Sequence, residues 1–330
     1  MSYTIGIDVG GTKVLGGVVD ASGKILIDAR RDTPREGGAA LTQTIADVAR
    51  ELMASYSVES VGISAAGFVS SDRKTMLATP NIAGWNGVDL DAQLTALLGL
   101  PVVIENDANA AAWGEAAFGA GRGHDHLLIV TVGTGIGGGI VVNGNLYRGG
   151  FGTAAEIGHM RVVPEGHLCG CGARGCFEQY ASGSALMRHA REAISATPEL
   201  ARNLLALGNG TLDGLTGKHI TEAAQSGDPV ALAAFNTTAH FLGAGIASLC
   251  VILDPTRVVI GGGVVEAGEI LHHGGVADED SHRGSTAHAD HHAHRGGETE
   301  GAWAGDDENG DSRDERKAQP RFRPINRPGG

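Results

Sequence analysis

The chain has 330 residues, enough for two domains with separate cores, and 42% apolar with 19% charged residues describes a globular protein rather than a disordered one. A net charge of −13 excludes the basic face of a nucleic-acid binder, although backbone amides can still hold an anionic nucleotide. No signal peptide or apolar membrane run is read from the sequence, and three of the four cysteines fall within eight residues, a spacing of metal ligands rather than disulfides, so the expected setting is cytoplasmic.

Tyr3 to Val9 alternates as a strand and ends in Gly10-Gly11-Thr12. Strands over 14–19 and 24–27 follow, joined by the turn Asp20-Ala21-Ser22-Gly23. Leu41, Ile45, Val48 and Leu52 recur at helical spacing and predict a helix over 40–53. Next come a buried strand over 60–65, a helix over 90–98, a strand over 101–104 and a helix over 108–117. This alternation predicts a mostly parallel α/β sheet.

A second start appears at Leu127 to Val132, followed by Gly133-Thr134-Gly135. Residues 12–19 and 134–141 align without gaps at an offset of 122, each a Gly-Thr turn returning as an apolar strand. An internal repeat of this kind predicts two related α/β domains whose turns line the cleft between them. An apolar helix over 231–253 then leads to the strand Val258-Val259-Ile260 and to Gly261-Gly262-Gly263, a flat surface suited to adenine or ribose.

The glycine turns carry the first chemistry. In Asp8-Val9-Gly10-Gly11-Thr12-Lys13 the glycines let a polyanion approach exposed N–H groups, and Asp8 suits a Mg²⁺ that bridges phosphates. The second turn offers Thr134, Gly135 and Gly137 in the same way. Neither is a Walker P-loop, and each returns as a strand rather than opening a helix, unlike a dinucleotide fingerprint. Glu105-Asn106-Asp107-Ala108-Asn109 stands between a strand and an alanine-rich helix. An Asp there commonly caps the helix; beside a phosphate cleft it is also where a hydroxyl would be deprotonated. Cys169-x-Cys171-x₄-Cys176, with His159 ten residues upstream, supplies four soft or borderline metal ligands.

Together with Glu156-Ile157-Gly158-His159 and Glu178-Gln179-Tyr180-Ala181-Ser182-Gly183, these motifs resemble the ROK family of sugar kinases and sugar-responsive repressors, its bacterial glucokinase branch in particular, over residues 3 to about 271. The resemblance implies an α/β, two-lobed actin-like ATPase (ribonuclease H-like) fold with the sugar in the cleft between lobes. The first lobe would span 1–120 and the second 121–271. It implies MgATP as phosphoryl donor and Asp107 as general base toward the 6-hydroxyl of a hexose. Gly67, Asn81, Asn106, Glu156, His159 and Glu178 would bind the sugar, and His159, Cys169, Cys171 and Cys176 a structural Zn²⁺. Gly261, Gly262 and Gly263 would face the nucleoside. Glucose is the expected hexose, with N-acetylmannosamine and fructose kinases as close alternatives, polyphosphate as alternative donor, no nucleic-acid or membrane partner, and a homo-oligomer (dimer or tetramer). Ala155 departs from the family pattern, which has Gly before Glu-Ile-Gly-His, and puts sugar affinity in doubt first.

Residues 272–330 are a different polymer. Their only Val, Ile, Leu, Met or Phe residues are Val276, Phe322 and Ile325, and they hold seven of the 14 histidines. Such a segment cannot bury enough apolar surface to offset its ordering entropy, so disorder is expected. Its composition is that of a GC-rich gene read in a shifted frame, and a chain without the family's closing helices is expected to be of low stability and weak or absent kinase activity, a sugar-binding protein at the limit.

Overall fold

The structure is a computed structural model and describes residues 2–79, 82–268 and 270. The expectations for Asn81 and for 272–330 lie outside the described residues.

In the first half β1 (Thr4–Val9), β2 (Lys13–Val19) and β3 (Ile25–Asp32) form an antiparallel meander. Helix α1 (Gly38–Met53) then crosses to β4 (Ser60–Ala65), which pairs parallel to β1. A small antiparallel sheet follows from β5 (Phe68–Val69), β6 (Thr75–Ala78) and β7 (Val88–Asp89). Helix α2 (Leu90–Leu98) starts on an Asp89 side-chain cap and stops at Gly99, whose φ of 68° suits glycine. It leads to β8 (Val102–Asn106), parallel to β4, and the strand order is β3-β2-β1-β4-β8.

Only one face of this sheet is packed. Ile5, Ile7 and Val9 alternate with exposed Thr4, Gly6 and Asp8, and the apolar set meets Leu41, Ile45, Val48 and Leu52 of α1 and Leu90 and Leu94 of α2. The other face forms an open groove of about 1060 Å³.

Helix α3 (Asp107–Phe118) carries the chain into the second half, where β9 (Leu127–Val132), β10 (Ile136–Val142) and β11 (Asn145–Leu146) repeat the meander. After a long excursion come α4 (Glu178–Ala181), α5 (Gly183–Ala196), α6 (Arg202–Leu207), α7 (Gly217–Gln225) and α8 (Pro229–Leu253). Strand β12 (Arg257–Gly261) pairs parallel to β9, giving the order β11-β10-β9-β12. Both faces of this sheet are packed, which is why β9 reads Leu-Leu-Ile-Val-Thr-Val without alternation. Leu128 and Val130 meet Phe177, Leu186, Ala231 and Phe235 on one side, and Leu127 and Ile129 meet Ala112 of α3 on the other.

The joint between the halves is a helix-on-strand contact of unusual closeness. A Cβ on Gly137 would lie 2.9 Å from that of Ala108, and one on Gly139 would overlap that of Ala112. Two glycines on β10 and two alanines on α3 therefore set the height of the helix above the sheet.

Two expectations change. The sheets are mixed rather than mostly parallel, because the chain returns from each Gly-Thr turn as an antiparallel hairpin. Helix α8 does reach the length and hydropathy of a membrane span, yet its buried face, including Ala231, Phe235 and Leu242, belongs to the core of the second half.

Gly139→Val forces branched carbons into Ala112, an overpacking that costs about 1–3 kcal/mol. Urea denaturation read by far-UV circular dichroism should show that loss, whereas Gly133→Ala, with open space around it, should lose much less.

Candidate active site

The corner between β8 and α3 is built by Asn106. It is the helix N-cap, accepting at Oδ1 from Asn109 N–H at 3.0 Å, while its Nδ2 donates to the Gly67 carbonyl and to Asp107 Oδ1, each at 3.0 Å. Both amide donors are thus committed, leaving a ligand one Oδ1 lone pair. Capping, considered for Asp107 from the sequence, falls to Asn106; Asp107 is the first helical residue. Its Oδ1 also accepts from Ala108 N–H at 2.9 Å, so Oδ2 remains for a ligand.

Behind the corner, Glu105 accepts from Arg148 Nε at 2.9 Å and Nη2 at 2.6 Å, a largely enclosed forked pair. It ties β8 of the first half to the loop after β11 of the second. The sequence gives no sign of this pair, because 43 residues separate its members and Arg148 belongs to no motif.

Opposite the corner lies a cleft of about 520 Å³. Its walls include Gly67, Asn106 and Asp107 from the first half, and Gly135, Gly137, Glu156, His159, Glu178 and Gly262 from the second. Phe68, Ala108, Ala111, Thr131, Gly133, Ile136, Gly138 and Ala155 complete it, none of them singled out as a ligand from the sequence. Gly133 and Gly138 lie within the glycine turn itself and could have been found there; Phe68 and Ala111 carry no signal of their own. Gly10, Gly11, Thr12, Lys13, Thr134, Gly261 and Gly263 are not among the lining residues. Asp8 faces the groove of the first sheet, where its Oδ1 accepts from Ser64 Oγ at 3.3 Å.

Two glycines of the second turn and the strand it opens have a partner pressed against them. A Cβ on Gly135 would lie 2.8 Å from Glu178 Oε2, and one on Gly138 would lie 2.6 Å from Ile157 Cδ1. The turn therefore admits the carboxylate of α4 and the short helix Ile157–His159 to the cleft floor. Burial pushes the Glu156 carboxyl above the usual carboxylate range; His159 opposes this shift, while Asp107 and Glu178 add to it. A carboxyl so placed gains most from a ligand that donates hydrogen bonds to it.

Next to the cleft His159, Cys169, Cys171 and Cys176 bring their donor atoms within 4.8 Å of one another. His159 Nδ1 lies 3.6 Å from Cys169 Sγ, and Cys171 Sγ lies 3.6 Å from Cys176 Sγ. Tetrahedral Zn²⁺ with Zn–S bonds near 2.3 Å spaces its sulfurs by about 3.8 Å, so the donor set fits a structural zinc. Cys169 Sγ also donates to Glu178 Oε1 at 2.9 Å, and desolvation chiefly pushes this thiol up to about 12.

Over residues 4–278 the chain matches the ROK family. The chain belongs to that family. The glucokinase of Streptomyces coelicolor is 49% identical over 271 residues, covering 82% of this chain and 85% of the relative. That of Thermotoga maritima is 40% identical over 268 residues, 81% of this chain and 84% of the relative. Among solved structures, a ROK family glucokinase from Streptomyces griseus in complex with glucose and AMPPNP superposes with a TM-score of 0.72 at 50% identity, covering 83% of this chain and 87% of that one. The fold is the actin-like ATPase fold of ROK kinases.

One departure from the ROK pattern now has a geometric meaning. Ala155 has φ 67°, in the left-handed region that favours glycine, and its carbonyl accepts from Ile157 N–H at 2.7 Å. The loop that presents Glu156 thus holds its shape against a strained residue. Ala155→Gly should stabilise the protein by about 1 kcal/mol, the relief of the left-handed alanine less the entropy glycine adds to the unfolded chain. Thermal melting checks this, with Ala154→Gly, whose φ is not positive, expected to destabilise.

Proposed function

We propose that this ROK protein transfers the γ-phosphoryl group of MgATP to the 6-hydroxyl of a hexose, glucose foremost. The observation that carries this reading is the position of Asp107, whose carboxylate lines one cleft together with the second glycine turn and with Glu156, His159 and Glu178. The relatives named above supply the substrate pair.

Asp107 Oδ2 accepts the hydroxyl proton as the sugar oxygen bonds to phosphorus and the bond to the ADP oxygen breaks. The Asn106 and Ala108 N–H groups on Oδ1 hold the carboxylate in line. Glu156 and Glu178 accept from sugar hydroxyls, and a site built on such bonds rejects a sugar that lacks them. Gly67 contributes backbone to the pocket wall, and Asn106 acts mainly by fixing Asp107 and the Gly67 carbonyl. Gly135 to Gly138 and Gly262 line the same cleft, which supports giving their N–H groups to phosphate oxygens. The assignment of Asp8 to Mg²⁺, and of Gly10 to Lys13, Thr134, Gly261 and Gly263 to the nucleotide, rests on the glycine-turn chemistry of the sequence and on the family resemblance.

Zinc at His159, Cys169, Cys171 and Cys176 would fix the imidazole by Nδ1, leaving Nε2 for a sugar hydroxyl, and would orient Glu178 through its neighbour Cys169. Its part is structural. Four free thiols suit a reducing compartment.

In an ADP-release assay across glucose, mannose, fructose and N-acetylmannosamine, glucose should turn over fastest. Asp107→Asn should lower kcat by about 10²- to 10⁴-fold with glucose still bound; turnover that survives the substitution removes the base assignment. Cys171→Ser should lose zinc by atomic absorption and raise the glucose KM by about 10- to 100-fold with a smaller effect on kcat.

A further inference from the structure

We propose that Arg188 and His189, consecutive residues of α5, are positioning residues that hold Glu178 at a fixed distance from the second glycine turn. The inference deepens the hexose reading of the cleft and rests on it, because Glu178 is there an acceptor for sugar hydroxyls. Neither residue is among those lining the cleft.

The need arises in α4, the one-turn helix Glu178–Ala181 that presents Glu178. A helix cannot bond its own last four carbonyls, and in a four-residue helix those are all it has. Tyr180 and Ala181 are buried, so carbonyls left bare there would be costly. Two of the four are met from α5. Arg188 Nη2 donates to the Gln179 carbonyl, and His189 Nε2 lies 3.0 Å from the Tyr180 carbonyl oxygen. A carbonyl only accepts, so Nε2 carries the proton.

The same helix is tied at its start to the glycine turn. Gly183 N–H donates to the Gly133 carbonyl at 2.8 Å, and Ser184 Oγ donates to the Thr134 carbonyl at 2.8 Å. A Cβ on Gly183 would lie 2.8 Å from the Gly133 oxygen, so the approach leaves no room for a side chain. Between the two grips Leu186 anchors α5 in the core of the second half, and Ala190 and Ile194 continue that anchor. One rigid helix thus spaces Glu178 from the turn.

Tyr180 carries the brace further. The Arg188 guanidinium carbon stands 5.8 Å from the centre of its ring, and its hydroxyl accepts from His167 N–H at 2.8 Å. His167 begins the loop that holds Cys169, whose sulfur meets Glu178 Oε1.

Packing alone does not call for these side chains. His189 is 7% exposed, between Leu186 and Ala190 of the core. Among the described residues Arg188 Nε is one of two buried side-chain polar atoms without a hydrogen-bond partner. Glu192 Oε1 stands 3.7 Å from it, beyond hydrogen-bond reach. Apolar groups at both positions would serve a core at less cost in desolvation.

The test combines amide hydrogen exchange, read by mass spectrometry on the full chain, with glucose kinetics. His189→Leu and, separately, Arg188→Met should speed exchange over residues 178–182 by about tenfold and leave α8 unchanged. Each should raise the glucose KM by about tenfold with little change in kcat. His189→Gln, whose amide nitrogen can take the place of Nε2, should restore both readouts. A merely structural role would lower the melting temperature without splitting KM from kcat. Unchanged exchange over 178–182, faster exchange with an unchanged KM, or no recovery by glutamine would each overturn the proposal. Should His189→Leu not fold, Arg188→Met, at a partly exposed side chain, decides the same points. A wild type that phosphorylates no hexose overturns the hexose reading instead, and exchange alone then decides whether the brace exists.

Discussion

The contact between α3 and β10 governs the rest of the molecule. A helix normally rides about 10 Å above a sheet because side chains intervene; here Ala108 and Ala112 meet Gly137 and Gly139 with no side chain between. That closeness brings the first residue of α3, Asp107, down to the glycine turn that opens β10. The same two glycines that admit the helix lie on β10 just after that turn. Packing and proposed catalysis are therefore one arrangement, and neither can be altered without the other.

Around this joint, single residues serve several partners. Asn106 caps the helix, fixes the Gly67 carbonyl and braces Asp107 with one amide group. Glu178 touches Gly135 with one oxygen and Cys169 with the other, linking the cleft to the thiol cluster. Glu105 and Arg148 clamp the two halves behind the corner. Such sharing holds the cleft groups in place with few residues, and it leaves Glu156 under a desolvation load that a bound sugar would relieve.

Most of the first sheet's elements were legible. Helices α1 and α2 and strands β1 and β4 follow from apolar spacing and from turn residues, because each buries one face and the period survives in the sequence. The strand after Lys24 runs on to Asp32, beyond its apolar portion, because backbone pairing with β2 continues where side chains turn polar. Helices α5, α6 and α7 and the small sheet β5-β6-β7 were not anticipated; α6 and the strands of the small sheet are too short for a periodic signal. The cleft motifs Asp107, Glu156, His159 and Glu178 stood out as chemistry, but Asp8 turned to the neighbouring groove, a matter of which face of β1 it occupies.

By itself the sequence determined the internal repeat, the family and the set of reactive side chains, because these depend on residue identity and short spacing. Tertiary structure alone decided that Asn106 rather than Asp107 caps α3, that Ala155 sits in a left-handed turn, and that Glu105 pairs with Arg148. It also decided that one sheet is covered on both faces and the other on one. Each of these depends on groups far apart in the chain meeting in space, and on backbone angles that packing imposes against local preference.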